Sequence, residues 1–430
     1  MGSIFIRKGK NLSMKKNADN YSISLKNDKC IMNIIFLLVI IIFVQLLSIV
    51  STSNEIPVKL GNEVLLDDYY HLIDGKNVGL ITNQTGVDSR GVSFIDKLLA
   101  TRGVRLVTLY APEHGLDGTV RAGARVNSYN HPYYDIPVYS LYGSTRMPTE
   151  EMLLKIEVLL FDIQDIGARS YTYMSTLQYC MIAAEKYNKQ IIVLDRPNPL
   201  GGTIVEGPVM EDKFKSFMGV DNIPMAHGMT MGELALFYNR SIGADLTVIA
   251  MDGYHRSMSF NDTGLPFVQT SPNIPDINSL YGYMATGLGE GTGVFQRDQF
   301  RWVGGKGLDS FRYAEYLNSA GLPGVNYIPE EHDTAGGVRL EIYDPYTFNP
   351  AKSGIYALAY AFMLGDFHVP KSTPGSIAMF DKIMGTDKIG HYLEDRASPE
   401  QIEASYQLVL QHFKEERERY LIPLYDPPVR

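Results

Sequence analysis

The sequence predicts an α/β fold in which a Rossmann-like parallel sheet domain is followed by a smaller C-terminal α+β domain. Two observations lead to this prediction. Short apolar runs rich in β-branched residues alternate with helical segments from residue 77 to about residue 250, and such alternation is typical of a parallel sheet covered by helices on both faces. Beyond residue 271 the alternation gives way to a connector containing Pro and Gly, followed by mostly helical segments.

The length and composition of the chain fit two domains. It has 430 residues, of which 45% are hydrophobic and 20% are charged, as expected of a globular protein with about two domains. We divide it into a leader over residues 1–53, a Rossmann-like domain over residues 54–268 and a C-terminal domain over residues 269–430. The net charge of -9 offers no basic surface for nucleic acid, so we exclude a nucleic-acid partner.

A basic segment followed by an apolar one precedes the first domain. Several lysines come before an apolar run over residues 34–50, and three small polar residues follow it. This order is typical of a secretory signal peptide, although the run is nearly long enough to remain as a membrane anchor. We therefore expect an exported, periplasmic or extracellular protein, either free or anchored to the membrane. The two cysteines, Cys30 and Cys180, leave one thiol beyond the leader, which excludes a disulfide framework.

The strand–helix alternation can be assigned element by element. Strands are predicted over residues 77–82, 104–110, 137–139, 158–161, 191–194 and 246–250. Helices are predicted over residues 94–100, from 149, and over 177–187 and 230–238, the last opened by a capping box of Thr230 and Glu233. In the C-terminal domain we expect helices over residues 311–317, 355–362, 380–384 and 402–420, with Ser398 as the N-cap of the last one.

Polar side chains follow four of the predicted strands, at the edge where open parallel sheets bind ligands. The residues that we select there as a candidate site are Asn83, Glu113, His114, Asp165, Arg169, Tyr171, Tyr173, Asp195, Arg196 and Asn198. Turn chemistry explains a single Asn or Asp in a loop, but it does not explain two arginines and two tyrosines at the same edge. The sequence therefore predicts a polar site at the carboxyl ends of these strands.

Paired carboxylates are the catalytic groups that the sequence offers most readily. Glu113 follows a buried strand and Pro112, where a glutamate is well placed to donate a proton. Glycoside hydrolysis uses two such groups. An N-acetyl sugar can instead supply its own acetamide as the nucleophile, and the second carboxylate then only orients it. The candidates for the second carboxylate are Asp162, Asp165, Asp195 and Glu290.

Other catalytic machinery has little support in the sequence. The metal motif H-E-x-x-H and the nucleophile elbow G-x-S-x-G do not occur. The glycines around Glu290 do not form G-x-G-x-x-G, so we expect no dinucleotide and assign no cofactor. A metal site built from Glu113, His114 and Asp165 is a minor alternative, and we assign no metal ligands.

Several long motifs follow one another along the chain: GLITNQTGVDSRG (79–91), APEHGLDG (111–118), VYSLYG (138–143), FDIQDIGARSYTY (161–173), LDRPNPLGG (194–202), HGMTMGELA (227–235) and FDKIMGTD (380–387). Together they resemble one known family, the exo-acting β-N-acetylmuramidases of bacterial cell-wall turnover (the NamZ type). The resemblance extends from about residue 58 to residue 421.

The resemblance implies a Rossmann-like catalytic domain with a smaller C-terminal domain that closes the cleft. It implies release of N-acetylmuramic acid from the non-reducing ends of peptidoglycan fragments, with muropeptides and MurNAc-GlcNAc as substrates. It also implies that Glu113, in the P-E-H-G motif, is the catalytic glutamate. We add Glu290 and Asp165 as further catalytic candidates and His227 as a substrate-binding one.

Two further expectations concern the substrate. N-acetylmuramic acid carries a lactyl carboxylate, for which Arg169 and Arg196 are the candidate guanidinium partners, and Tyr171 and Tyr173 either stack on a sugar or belong to the core. The glycine-rich loop departs from the family pattern, because Met284 and Thr292 replace a glutamate and an arginine. This departure keeps a non-catalytic glycan-binding protein as an alternative, beside a metal-dependent hydrolase.

Overall fold

The computed structural model describes residues 58–426 of the chain. A seven-stranded sheet organises the first half of the chain. Its strands are β1 (Asn77–Thr82), β2 (Arg105–Ala111), β3 (Tyr129–Asn130), β4 (Pro137–Ser140), β5 (Val158–Asp162), β6 (Gln190–Leu194) and β7 (Leu246–Ile249). They lie in the order β3-β4-β2-β1-β5-β6-β7, and all neighbouring pairs are parallel except β3 with β4. The Rossmann-like parallel sheet is therefore confirmed; the sequence predicts all of its strands except β3, which is short and exposed.

The strand order reverses at β1, and this reversal determines where a ligand can bind. From β1 the chain passes to β2 and β4 on one side, and it then returns to β5 on the other side of β1. The loops that leave β1, β2 and β5 consequently diverge from one another above the sheet. Such a switch point forms a crevice at the carboxyl ends of the strands, where ligands of open α/β sheets bind.

Helices cover both faces of the sheet. They are α1 (Gly61–Asp68), α2 (Phe94–Ala100), α3 (Glu150–Leu153), α4 (Tyr173–Lys186) and α5 (Met231–Ile242). The predicted capping box of Thr230 and Glu233 is present at the start of α5, where it satisfies backbone N–H groups that have no partner within the helix. Helix α4 begins at Tyr173 rather than at the predicted residue 177, so the tyrosines after β5 lie at its N-terminus.

The second half of the chain forms an α+β arrangement, as predicted. Its antiparallel sheet has the order β10-β11-β9-β8 and is formed by β8 (Val294–Arg297), β9 (Trp302–Lys306), β10 (Val325–His332) and β11 (Ala335–Ile342). Its helices are α6 (Ile277–Thr286), α7 (Ser310–Ser319), α8 (Pro350–Leu364), α9 (Met379–Met384), α10 (Lys388–Glu394) and α11 (Pro399–Arg417). Ser398 caps α11, as the sequence predicts.

The two halves share a hydrophobic core and several polar contacts. One cluster of buried side chains extends from Ile81 of β1 to Phe413 of α11, and a second cluster covers the opposite face of the parallel sheet. Near the end of the described chain, the Tyr425 hydroxyl donates a hydrogen bond to Asp195 at 2.7 Å, and Arg256 pairs with both Glu233 and Asp426. The shared core buries the apolar face of each half against the other.

Two expectations from the sequence fall outside this description or are not tested by it. The leader over residues 1–53, with its signal peptide or membrane anchor, lies outside the described residues. Between residues 58 and 426, the helices are all too short or too polar to cross a membrane. The boundary between residues 268 and 269 stays a prediction, since the described chain belongs to one compact unit.

Candidate active site

Glu113 lies just beyond the end of β2 and is buried. Its Oε1 accepts a hydrogen bond from the backbone N–H of Gly123 at 2.8 Å, and its Oε2 accepts one from Oγ1 of Thr172 at 2.6 Å. Thr172 is the N-cap of α4, so the carboxylate faces the positive end of that helix dipole. These donors stabilise the negative charge that remains on Glu113 once it has given up a proton.

The backbone turns sharply directly after Glu113. His114 and Gly115 have φ angles of 71° and 81°, in the left-handed region that glycine adopts easily and histidine rarely. Nδ1 of His114 lies 2.7 Å from the carbonyl oxygen of Val120; because a carbonyl only accepts, Nδ1 is the donor. The imidazole thereby fixes the loop after Glu113 and borders an open groove of about 390 Å³ that Asp117 and Arg125 also line.

Tyrosine rings cluster next to these two residues. The Tyr171 and Tyr173 rings meet edge to face with centroids 4.9 Å apart, and Tyr171 makes a similar contact with Tyr283 at 5.7 Å. Tyr173 is fully buried, and its hydroxyl donates to the carbonyl of Thr270 at 2.7 Å. Tyr173 therefore has no free ring face for a sugar, and the core alternative holds for it; Tyr171, 7% exposed, stays a candidate for contact with a ligand.

Asp165, beyond the end of β5, is buried and only partly hydrogen-bonded. Its Oδ2 accepts from the backbone N–H of Gly167 at 2.7 Å and lies 3.5 Å from Nε2 of His227. Nδ1 of His227 accepts from the backbone N–H of Met229, so Nε2 carries the proton of the neutral ring. Within residues 58–426, Oδ1 of Asp165, Nε2 of His227 and Nδ2 of Asn83 are buried without a hydrogen-bond partner.

The Tyr283 side chain lies near enough to Glu113 and Asp165 to be affected by both negative charges. Burial raises the pKa of Tyr283 to about 12, and the negative charges of both Glu113 and Asp165 act in the same direction. The Tyr283 hydroxyl lies 3.3 Å from Oγ of Ser170. The structure thus brings together the predicted residues that follow β1, β2 and β5, and it leaves free hydrogen-bonding capacity among them.

Arg169 does not face this region. Its side chain is fully buried, and its guanidinium donates to the backbone carbonyls of Pro208, Ile223 and Ile383 at 2.7–2.8 Å. Burial lowers the pKa of Arg169 to about 9. The predicted contact with a substrate carboxylate therefore has no support at this position, because the guanidinium connects loops of the two halves of the chain instead.

The polar residues after β6 are also held by internal contacts. Arg196 pairs with Asp162 at 2.6 Å and donates to the carbonyl of Val87 at 2.7 Å. Asp195 accepts hydrogen bonds from the backbone N–H groups of Arg196 and Gly232 and from the hydroxyls of Thr230 and Tyr425.

Asn198 completes this set with internal contacts of its own. Its amide donates to the carbonyl of Met229 and accepts from the backbone N–H of Leu200. The polar atoms of Asp195, Arg196 and Asn198 thus hold loops together, and the substrate-binding roles predicted for these residues stay predictions.

Glu290 lies on an exposed turn after α6. Its side chain makes no hydrogen bond or ion pair with any residue in the described part of the chain, whereas Met284 and Thr292 are buried. Oγ1 of Thr292 donates to the carbonyl of Gly289 and accepts from the backbone N–H of Val294. The catalytic role of Glu290 stays a prediction.

The sequence does not single out several residues around the site, among them Tyr142, Arg146, Thr172 and Phe217. The first two follow β4, which ends at the same edge of the sheet as β2. Applying the strand-end argument to β4 as well would have identified them. Thr172 and Phe217 carry no comparable signal, since one is an N-cap and the other lies in an irregular loop.

A possible metal-ligating group lies elsewhere. Asp298, Glu330 and His332 come together in the C-terminal sheet. The guanidinium of Arg339 binds both carboxylates, and hydrogen bonding to Arg339 lowers the pKa of Glu330 and of Asp298. Because an arginine already supplies the positive charge there, this group is best described as an ion-pair network.

The fold and this geometry define an α/β protein with a carboxylate-centred site at the switch point of its parallel sheet. Residues 78–278 match a family model described as exo-beta-N-acetylmuramidase NamZ, N-terminal, and residues 281–423 match the corresponding C-terminal model. A curated relative, peptidoglycan beta-N-acetylmuramidase NamZ of Bacillus subtilis (strain 168), is 41% identical over 387 residues, which cover 86% of this chain and 93% of the relative. The chain therefore belongs to the exo-β-N-acetylmuramidase NamZ family, as the sequence motifs indicate.

Two solved structures are similar over most of their length. Both are crystal structures of DUF1343 family proteins from Bacteroides fragilis NCTC 9343. One has a TM-score of 0.76 and 35% identity, covering 86% of this chain and 99% of that chain. The other has a TM-score of 0.64 and 27% identity, covering 85% of this chain and 98% of that chain. The two-part α/β architecture described above is thus shared with experimentally determined folds.

Proposed function

We infer that this protein is an exo-acting glycoside hydrolase that releases N-acetylmuramic acid from the non-reducing ends of peptidoglycan fragments. The observation that carries this inference is membership of the NamZ family through both halves of the chain. The curated relative with 41% identity is named a peptidoglycan beta-N-acetylmuramidase. The substrates of this chain are accordingly muropeptides and the disaccharide MurNAc-GlcNAc.

In this proposal Glu113 donates a proton to the glycosidic oxygen as the bond to the anomeric carbon breaks. Its burial keeps bulk water away, and the Thr172 hydroxyl and the Gly123 N–H stabilise the carboxylate that proton transfer leaves behind. Their fixed geometry limits reorganisation during the reaction. The same carboxylate is then able to take a proton from the water that completes hydrolysis.

Asp165 is the second catalytic group that we propose. Its Oδ2 is held by Gly167, and its Oδ1 has no partner among the described residues. A carboxylate with one fixed and one free oxygen is suited to accept the N–H of the substrate acetamide, which orients the acetamide oxygen toward the anomeric carbon. Asp165 is supported over Asp195 because all of the contacts that hold Asp195 are internal.

We also propose that the protein is exported. The support is the order of basic, apolar and small polar residues within residues 1–53, which is typical of a signal peptide. N-terminal sequencing of the protein recovered from the producing cells tests this. Cleavage after the apolar run indicates a secreted form, an intact apolar run in the membrane fraction indicates an anchored form, and an intact protein in the cytoplasmic fraction contradicts export.

A chromogenic β-N-acetylmuramide and the matching β-N-acetylglucosaminide test the proposed activity. We expect purified protein to release the chromophore from the muramide at a much higher rate, and to keep that rate in the presence of a chelator. Loss of activity in chelator would favour a metal-dependent hydrolase. Binding of muropeptides without turnover of either substrate would favour a non-catalytic binding protein and overturn the proposal.

A further inference from the structure

Arg146 lies in the loop that follows β4. This loop starts close to Glu113, because the backbone N–H of Leu141 donates to the carbonyl of Ala111 at 2.8 Å, two residues before Glu113. The Cζ atom of Arg146 is 3.4 Å from the centroid of the Tyr142 ring and 4.8 Å from that of the Phe217 ring. Burial raises the pKa of Tyr142 to about 12; the charge of Glu113 acts in the same direction, and the charge of Arg146 acts against it. Tyr142 is therefore close both to the Glu113 carboxylate and to the Arg146 guanidinium.

The flat face of the Arg146 guanidinium packs on the aromatic rings, and its edge stays available to a ligand. Stacking on aromatic rings uses the flat face of the group, whereas its N–H donors lie in the plane and point outward from the edge. Arg146 forms no ion pair within residues 58–426, and its Nη1 is buried without a hydrogen-bond partner; the polar group close to the guanidinium is the Tyr142 hydroxyl. A buried charged donor without an acceptor is costly, and a ligand acceptor would remove this cost.

The other two candidate arginines differ from Arg146 in this respect. Arg169 donates to three backbone carbonyls, and Arg196 is paired with Asp162 and bound to a carbonyl. Both are almost completely buried. Arg169 and Arg196 thus bind protein groups through several of their N–H donors, whereas the edge of the Arg146 guanidinium remains available to a substrate.

We propose that Arg146 binds the lactyl carboxylate of the N-acetylmuramic acid residue and so determines the preference for this sugar over N-acetylglucosamine. The inference rests on the proposed function and extends it to the residue that sets specificity. The two sugars differ in the lactyl group, and a guanidinium pairs with its carboxylate through two parallel hydrogen bonds. The aromatic contacts of Arg146 hold the guanidinium in one orientation before the substrate arrives.

The test compares wild type, Arg146→Gln and Arg146→Lys on a chromogenic β-N-acetylmuramide and on its lactyl methyl ester, which lacks the carboxylate. We expect Arg146→Gln to lower kcat/KM for the acid at least tenfold and to leave kcat/KM for the ester nearly unchanged. Arg146→Lys keeps the charge and loses the paired geometry, so we expect an intermediate loss on the acid alone. Equal losses on acid and ester in either variant would overturn the proposal.

A binding experiment separates this proposal from the proposed function. Calorimetry with free N-acetylmuramic acid and with its methyl ester measures the contribution of the carboxylate whether or not turnover occurs. Arg146-dependent selectivity for the acid in a protein without hydrolytic activity would support the role of Arg146 and refute the hydrolase. Hydrolysis with unaltered selectivity in the variants would support the hydrolase and refute the role of Arg146.

Two controls complete the design. Arg312→Gln removes an exposed arginine from α7, at a position remote in sequence from every site residue, and we expect unchanged kinetics and binding. Thermal unfolding of each variant checks that it is folded. If Arg146→Gln does not fold, Arg146→Lys decides alone, because a selective loss on the acid supports the proposal and an unselective or absent loss overturns it.

Discussion

Two polar clusters lie at the carboxyl edge of the seven-stranded sheet, and they differ in how completely their hydrogen bonds are formed. At the ends of β1, β2 and β5, atoms of Asn83, Asp165 and His227 are buried and have no partner in the described part of the chain. At the end of β6, Asp195 accepts four hydrogen bonds, and Arg196 pairs with Asp162 and donates to the carbonyl of Val87. Since buried polar groups are normally satisfied, the first cluster has hydrogen-bonding capacity that a ligand can use, whereas the polar groups of the second cluster mainly bind other parts of the protein.

The largest effect that we expect comes from Glu113→Gln, in the cluster with free capacity. Loss of the proton donor should lower kcat on an unactivated disaccharide by roughly 10²–10⁴-fold. The amide has the same shape: its Oε1 can accept from the backbone N–H of Gly123, and its Nε2 can donate to the Thr172 hydroxyl, which then becomes the acceptor. The melting temperature should therefore stay close to that of wild type. Near-normal turnover by the variant would show that Glu113 is not the proton donor.

Changes in the cluster at the end of β6 should instead affect the stability of the protein, and the effect should depend on pH. Burial raises the pKa of Asp195 to about 7, above its value of about 3.9 in the unfolded chain. Between these values the folded state keeps a proton that the unfolded state has released, so the contribution of Asp195 to the free energy of unfolding falls as pH rises from 4 to 7, by at most about 4 kcal/mol.

Comparison with Asp195→Asn isolates this contribution, because the asparagine does not titrate. The free energy of unfolding of wild type minus that of the variant, measured by denaturant unfolding at several pH values, should decrease over this range. A difference that does not change between pH 4 and pH 7 would show that Asp195 titrates normally.

Arg169→Met should also act on stability rather than on specificity. The substitution leaves the carbonyls of Pro208, Ile223 and Ile383 without their donor, which should cost about 3 kcal/mol. We expect a lower melting temperature, with unchanged discrimination between muramide and glucosaminide in the protein that remains folded. A selective loss of muramide turnover would show that Arg169 contacts the substrate.

Asp165→Asn tests the second member of the cluster with free capacity. If Oδ1 orients the acetamide, loss of its charge should lower kcat at least about tenfold. The hydrogen bond from Gly167 can form with the asparagine oxygen, so the melting temperature should change little. A fall in melting temperature without a fall in kcat would show that Asp165 stabilises the fold and takes no part in catalysis.

The smallest effect is expected from Tyr173→Phe, which removes one buried hydroxyl at the N-terminus of α4. Its hydrogen bond to the carbonyl of Thr270 should contribute about 1 kcal/mol to stability. Kinetic constants should stay within about twofold of wild type, because no ring face is open to a sugar. A large change in KM would show that the phenol contacts the substrate after all.

The sequence predicts the position of the site better than the roles of its residues. The strand-end argument selects Asn83, Glu113 and Asp165, and the switch point at β1 brings these together. The same argument also selects Arg169 and Arg196, whose guanidinium groups bind a carbonyl and a carboxylate of the protein. Residue type alone does not reveal that an arginine is already bound in this way. Such pairing depends on loops that are distant in sequence, as between Arg169 and Ile383.

The C-terminal sheet shows a second limit of prediction from the sequence. Gly304 and Gly337 lie in the middle of paired strands, where glycine is normally unfavourable. A side chain at either position would collide with the indole of Trp302, so the glycines provide the space for a buried tryptophan. The hydrophobic pattern of β9 and β11 is interrupted for this reason, and the strands are evident only once the tryptophan has been placed.

The contact between Tyr425 and Asp195 has a consequence for how the protein is made. A ribosome completes the parallel sheet long before it adds Tyr425, which donates to a carboxylate 230 residues earlier in the chain. Until then the buried Asp195 lacks one of its donors, and Glu233 lacks the backbone N–H of Ile422. The first half of a nascent chain is therefore an incomplete fold, and its final stabilisation must wait for release of the last residues. A chain terminated just before residue 422 would carry every candidate catalytic group and still be exposed to cellular proteases.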